Sequence, residues 1–299
     1  MYMFKTINYI INYIIPYTPR FIIKIFANQY VAGTTIEKSL DRIEALNNKG
    51  LSATIDILGE HTENIVESDL ITNQYCKILT EINERQLDCN ISIKPSHIGT
   101  DIDHQIFLDN LQKIQSVADS VNNFVRIDME DSKLTQITLD AYHQTSKSNT
   151  GTVLQAYLHR TLDDLNRLSK KDNVRLCKGI YNENATIAFK KRNEINQNYL
   201  MLLKAAFNKK IYVGIATHDP FIIEESLKYI KEFKIDKKLF EFQMLYGVPM
   251  SKYINKISAK KYKIRIYVPF GENWYDYSIR RIKENPNISK YIIKNLFKK

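Results

Sequence analysis

The chain has 299 residues, of which 44% are hydrophobic, with only 9 glycines and 7 prolines. That composition excludes a disordered or fibrous protein and suits one large α/β unit or two ordinary domains. The formal net charge is +10, yet basic residues run the whole length mixed with acidic ones, so compositional bias explains it better than a nucleic-acid or membrane-binding face.

In chain order, Ile7 to Ile15 and Phe21 to Phe26 are apolar, but Pro16, Pro19 and Arg20 interrupt them. Neither run approaches the ~20 residues of a spanning helix, and Ala27-Asn28 makes a poor signal-cleavage site. Residues 1–32 therefore read as a helical arm within an N-terminal region, 1–50, that packs on a catalytic unit, 51–299. Thr34-Thr35-Ile36-Glu37 is a capping box, Ile36, Leu40, Ile43 and Leu46 follow at helical spacing, and Gly50 stops the helix. Extended runs then alternate with helical stripes. The runs are Ala53–Leu58, Ile91–Pro95, Phe124–Met129, Thr152–Leu158, Val174–Lys178, Ile211–Ala216, Leu239–Leu245 and Lys263–Val268. The stripes include Ile71, Tyr75, Ile78 and Ile82, then Phe107, Leu111, Ile114, Ala118 and Val121. Thr161 with Asp164 opens one later helix, and Asp219 with Pro220 another.

Eight short strands, each followed by a helical segment, predict a (β/α)₈ TIM-type barrel. The rival, a doubly wound open sheet, lacks a G-x-G-x-x-G after the first strand. In a barrel, reactive groups belong at the strands' C-terminal ends. Glu60, Lys94, Asp128, Glu130, Gln155, Arg175, Lys178, Thr217, His218, Glu241, Gln243 and Tyr267 all fall on or just after strands. Any one of them reads as a solvated loop residue; polar groups from eight strands on one rim indicate an enzyme. Past the last strand, Trp274, Tyr277 and Arg281 share a helical face, and Arg280 pairs with Glu284 and Arg281 with Asn285 at i, i+4. Adjacent guanidiniums make sense facing inward only with an anion between them, and Arg holds a carboxylate bidentately. An ordinary surface Arg pair is the alternative on this feature alone.

These strands, in order and spacing, resemble proline dehydrogenase. The segments are Ile55-Asp56-Ile57-Leu58-Gly59-Glu60, Val125-Arg126-Ile127-Asp128-Met129-Glu130, Leu154-Gln155-Ala156-Tyr157-Leu158, Val174-Arg175-Leu176-Cys177-Lys178-Gly179-Ile180-Tyr181, Ile215-Ala216-Thr217-His218, Phe240-Glu241-Phe242-Gln243-Met244-Leu245-Tyr246-Gly247 and Tyr267-Val268-Pro269-Phe270-Gly271 leading to Arg280-Arg281-Ile282-Lys283-Glu284-Asn285. The resemblance spans Ala53 to Asn285 and is to the short bacterial form with one activity. It implies a barrel holding FAD, with a final helix over the mouth. It also implies oxidation of L-proline to Δ¹-pyrroline-5-carboxylate by hydride transfer to flavin N5, and reoxidation by a membrane quinone.

Carried over by position, Arg280, Arg281 and Lys94 hold the proline carboxylate, Tyr267 and Tyr277 wall the ring, and Leu245 is an apolar neighbour. Asp128 acts through hydrogen bonds beside Tyr267 and Lys94. Arg175 sits by flavin N5 and Gln155 by the pyrimidine edge, while Met129, Lys178, Gly179, Ile180, Thr217, His218 and Gln243 line the cofactor. Glu60 gates the site by pairing with Arg280, and Glu284 orients the arginines. The proton acceptor stays unassigned. Ile180 stands where the family has Ala and would crowd the flavin; Asp219 stands where Asn is frequent; Cys177 reads as core packing. The three cysteines, Cys76, Cys89 and Cys177, read as reduced thiols of a cytoplasmic chain, peripheral to the inner face of the membrane where quinone resides. Of the six histidines, His61, His97, His104, His143 and His159 lack metal-ligand spacing. A Schiff-base barrel using Lys94 or Lys178 is the enzymatic rival; a basic nucleic-acid or membrane-binding domain is the non-enzymatic one.

Overall fold

Eight parallel strands close on themselves in sequence order, so that β1 pairs with both β2 and β8. The computed structural model describes residues 20–145, 148–275 and 277–279. The strands are β1 (Ser52–Ile57), β2 (Cys89–Ile93), β3 (Val125–Ile127), β4 (Thr150–Gln155), β5 (Asn173–Cys177), β6 (Tyr212–Ala216), β7 (Phe240–Leu245) and β8 (Ile264–Phe270). Two helices, α1 (Arg20–Tyr30) and α2 (Ile36–Asn47), precede the barrel. The crossovers are α3 (Ile65–Glu84), α4 (His104–Ser120), α5 (Ser132–Thr145), α6 (Thr161–Asn166), α7 (Arg192–Asn208), α8 (Pro220–Glu232) and α9 (Ser251–Ser258). Another helix begins at Trp274. This is the TIM-type α/β barrel that the alternating sequence pattern predicts. No described helix is long and apolar enough to cross a membrane.

Each strand alternates sides, and the two sides differ in chemistry. Ile55, Ile91, Ile93, Val125, Ile127, Val174, Val213, Ile215, Phe242 and Val268 are buried in the core that strands share with helices. The α3 stripe Tyr75, Ile78, Leu79 and Ile82 and the α4 stripe Phe107, Leu111, Ile114 and Ala118 complete that layer. The intervening strand positions carry Thr54 and Asp56, Ser92, Arg126 and Asp128, Gln155, Arg175, Glu241 and Gln243, and Arg265 and Tyr267. Most of these are buried. Barrel interiors are more often filled by branched aliphatic side chains. Here the interior is a column of polar groups, most of them hydrogen-bonded to one another.

The expected helix caps shift in two places. Thr35, not Thr34, caps α2, accepting from Lys38 N at 3.4 Å. Thr161 does not cap α6; its hydroxyl donates back to Gln155 O at 2.5 Å, while Asp164 accepts from Arg160. β4 ends at Gln155, short of the expected Leu158, where Leu158 N turns back to Gln155 O at 3.2 Å. Asp219 does cap α8, accepting from Phe221 N at 3.1 Å ahead of Pro220.

Candidate active site

A cavity of about 870 Å³ opens at the C-terminal ends of the strands. It gathers Glu60, Lys94, Asp128, Met129, Gln155, Arg175, Lys178, Gly179, Ile180, Thr217, His218, Gln243, Leu245, Tyr267 and Tyr277. Arg280, Arg281 and Glu284 lie outside the described residues.

Two buried cation–carboxylate pairs form the base of the cavity. Asp128 pairs with Arg175 and accepts from Ser92 Oγ at 2.7 Å and from the Tyr267 hydroxyl at 3.0 Å. Arg175 also stacks over Tyr267, its Cζ 5.1 Å from the ring centroid. Beside them Lys94 Nζ donates to both oxygens of Asp56, at 2.6 and 2.7 Å. Burial pushes the Asp56 carboxyl up to about 6 against the pull of Lys94. Burial also opposes the Lys94 charge, but Asp56 and Asp128 outweigh it and raise the ammonium above the ordinary lysine range. A lysine held charged is a poor Schiff-base nucleophile, so this pair argues against the lyase alternative for Lys94.

A second centre lies on the β5–β6 side. Asp219 Oδ2 accepts from Lys178 Nζ at 2.9 Å, from Arg192 Nη2 at 2.9 Å and from Asn196 Nδ2 at 3.3 Å. Burial would raise the Asp219 carboxyl, but the two cations outweigh it and hold it down to about 2. Two cations against one carboxylate leave a net positive edge on the cavity. Next to it, Leu245 N donates to His218 Nε2 at 2.9 Å, which makes Nε2 the acceptor and leaves the ring proton on Nδ1. Gln155 Nε2 donates to Glu130 O at 2.8 Å, and the Glu130 carboxylate is itself held by Ser96 N and Oγ.

Three features depart from the sequence expectations. Glu241 is not a rim group: it lies below the cavity, 2% exposed and bonded to Arg265 at 2.8 Å. Ile180 is 57% exposed at the cavity edge, so its extra bulk reaches solvent as well as the site. Cys177 lines the cavity wall rather than only the core, and burial pushes its thiol up to about 11, far from a thiolate nucleophile. The fold also brings together possible metal-ligand atoms of Glu60, His61 and Glu130, which the linear spacing hides. Both Glu130 oxygens and His61 Nδ1 already have partners, in Ser96 and Asp101.

Sequence reasoning missed Asp56 and Arg192. Asp56 carried a usable signal: it is the polar residue between Ile55 and Ile57, so strict alternation turns it inward with Lys94 and Tyr267. Arg192, outside any strand at the first turn of α7, carried none.

The profile of the family described as proline dehydrogenase matches residues 39–293. The chain belongs to the proline dehydrogenase family. It is 37% identical over 276 residues to proline dehydrogenase 1 of Bacillus subtilis subsp. natto, covering 91% of each chain. Proline dehydrogenase of Deinococcus radiodurans is 31% identical over 280 residues, covering 91% of this chain and 90% of that one. Among solved structures, proline utilization A of Bdellovibrio bacteriovorus, inactivated by N-propargylglycine, superposes with a TM-score of 0.81 at 24% identity. That match covers 87% of this chain and 32% of the larger protein, and it speaks to the fold alone. The family places the protein among the oxidoreductases of proline catabolism.

Proposed function

We propose that the chain oxidises L-proline to Δ¹-pyrroline-5-carboxylate with FAD as the electron acceptor, as the first step of proline breakdown to glutamate. The observation that carries this reading is the layout of the 870 Å³ cavity: two neutralised cations at its base and a net positive edge at one side. The residues fit a flavin dinucleotide. Its volume is near the upper end of small-molecule sites, roughly 300–1,000 Å³. The Lys178–Arg192 edge suits a diphosphate, and Met129, Val153, Met244 and Leu245 offer apolar wall to a ring system. Lys178, Gly179, Ile180, Thr217, His218, Gln155, Met129 and Gln243 would hold the group. FAD, when bound, supplies the two-electron chemistry that side chains lack.

The chain's own contribution is orientation and electrostatics. Lys94, fixed by Asp56, presents a cation to the substrate carboxylate, joined in this reading by Arg280 and Arg281 with Glu284 behind them. Tyr267 and Tyr277 wall the ring, with Leu245 beside it. Holding the unreacting carboxylate fixes the reacting carbon, which lowers the entropic part of the barrier. Arg175, backed by Asp128, would hold a cation beside the bound group and favour its reduced, more negative form. Glu60 gates the mouth. Electrons leave to a membrane quinone, so a cytoplasmic protein meeting the inner face of the membrane follows from the reading.

An absorption spectrum tests it. The purified protein is expected to be yellow, or to become so with FAD, and anaerobic L-proline is expected to bleach the flavin band. Protein that takes up no flavin, or flavin that proline leaves oxidised, would overturn the reading.

A further inference from the structure

Below the cavity the barrel interior stays polar, and the polar groups connect in one line. Arg175 Nε donates to Gln243 Oε1 at 2.6 Å. Gln243 Nε2 donates to Glu241 Oε1 at 2.7 Å, and the same oxygen accepts from Arg265 Nε at 2.8 Å. Arg265 Nη1 continues to Ala53 O on β1 at 2.5 Å. Arg175, Gln243, Glu241 and Arg265 are all buried, and neither Glu241 nor Arg265 touches the cavity. We infer that Glu241 is a positioning residue for the reaction: acting through the Gln243 carboxamide, it aims Arg175 into the cavity, and Gly214 is the slot that admits the connecting amide.

The argument is one of polarity. A carboxamide has a donor end and an acceptor end, and it can sit either way round. A guanidinium only donates and a carboxylate only accepts, so with Arg175 on one side and Glu241 on the other a single orientation satisfies both. Reversal would set N–H against N–H and oxygen against oxygen, in an interior where unpaired polar groups are expensive. Arg175 and Glu241 therefore select the same orientation from opposite ends, and Glu241 locks the amide with its oxygen toward Arg175. The Glu241 charge is secure: burial opposes it, but Arg265 holds the carboxyl below its usual range. Meanwhile Arg126 occupies a neighbouring interior position, bonded to Thr152 O and Asn173 O at 2.8 Å. The Arg175 charge depresses Arg126, second only to burial, so the two guanidiniums repel, and Arg175 keeps its place through Gln243 at Nε as well as through Asp128 at Nη1.

Gly214 supplies the room. It lies in β6 beside Glu241 in register, and its backbone is not left-handed. Glycine is a poor strand former, so the conformation does not call for it. What calls for it is space: a Cβ there would collide with the Gln243 carboxamide.

The inference rests on the flavin reading above, and the experiment separates the two. Glu241→Gln and Gly214→Ala are purified with bound FAD quantified, and their flavin midpoint potentials are measured by spectroelectrochemistry without proline. If Glu241 acted by charge alone, removing its negative charge would raise the potential. If it aims Arg175, the cation's stabilisation of reduced flavin weakens and the potential falls. We expect a fall in both variants, of about 30 mV for each tenfold loss in a two-electron couple, with kcat reduced more than KM is raised. An unchanged or raised potential in either variant, with FAD retained, overturns the inference and leaves the flavin reading intact. A colourless wild-type protein overturns the reading itself. Gly214→Ala alters no charge, so it decides the matter even where Glu241→Gln fails to fold.

Discussion

Asp56 and Lys94 are 2% and 12% exposed as side chains and bonded through both carboxylate oxygens. Stripping two ions of water costs about as much as their attraction returns, so such a pair is poor evidence of stabilisation. In the proposed reading its place at the base of the cavity gives it another purpose, holding an ammonium where the substrate's anionic end would sit. The two roles are separable. Asp56→Ala strands a buried cation and is expected to destabilise by ~3–5 kcal/mol, read by urea denaturation. Asp56→Leu with Lys94→Met replaces the pair by apolar side chains of similar size and is expected to recover most of that loss while proline saturation is not recovered. If the double variant keeps the wild-type KM for proline, the pair is structural and the assignment of Lys94 fails. That Asp56 escaped notice in the sequence has a physical cause. Lys94 closes its strand next to Pro95, where a reader looks for function, whereas Asp56 is set between two isoleucines and looks like a strand interior. Its role needs the partner across the β1–β2 pairing, 38 residues away.

Among the elements, the strands were legible because alternation and length survive in any strand buried on one face by helices. All eight occur within a few residues of their expected bounds. Caps were less legible, since two adjacent threonines can each serve and only the backbone decides which one has the extended conformation a cap needs. At Thr35 that conformation is φ −118°, ψ 154°. Asp219 is the cap that also serves the site. Its carboxyl sits at about 2 in the folded chain, below an unfolded value of about 3.9. A depressed carboxylate contributes stability that is complete above the unfolded value and is lost as pH falls from about 4 toward 2. Asp219→Ala should therefore be destabilised at pH 7, by ~1 kcal/mol for the cap alone. The gap from the wild type should hold down to about pH 4 and narrow below it. Denaturation series at pH 7, 5, 4 and 3 would show this; a gap that widens on acidification contradicts the assignment. The same substitution frees Lys178 and Arg192, so weaker retention of an anionic cofactor is not the expected result.

At the scale of the molecule, the N-terminal region is joined to the end of the barrel. Ala32 N donates to Pro269 O at 2.9 Å and Gly271 N to Gly33 O at 3.0 Å, so the chain after α1 runs beside the end of β8. Arg20 sits over the Tyr275 ring at 4.9 Å, reaching the start of the helix that begins at Trp274. Gln29 Nε2 donates to Gly247 O at 3.3 Å on the loop after β7. Composition and periodicity foresaw a helix here but could not show where it docks, because docking depends on contacts more than 200 residues apart. Gly247 is the tightest of them: its φ is +77°, and a Cβ would run into the Gln29 carbonyl. Gly247→Ala then meets two penalties at once, left-handed strain of order 1–3 kcal/mol and expulsion of α1 from its seat. Loss of that seat uncovers Ile23, Ala27 and Tyr30, which are buried in the intact chain. The expected signature is a melting temperature lower by several degrees together with rapid proteolytic cleavage between residues 20 and 33, ahead of any cut in the barrel. Since the segment after α1 reaches β8, which carries Tyr267, and Arg20 of α1 reaches the helix that begins at Trp274, KM for proline should rise as well. Cleavage at the wild-type rate would mean that α1 rests on the barrel without being held there, and its link to the cavity would have to be abandoned.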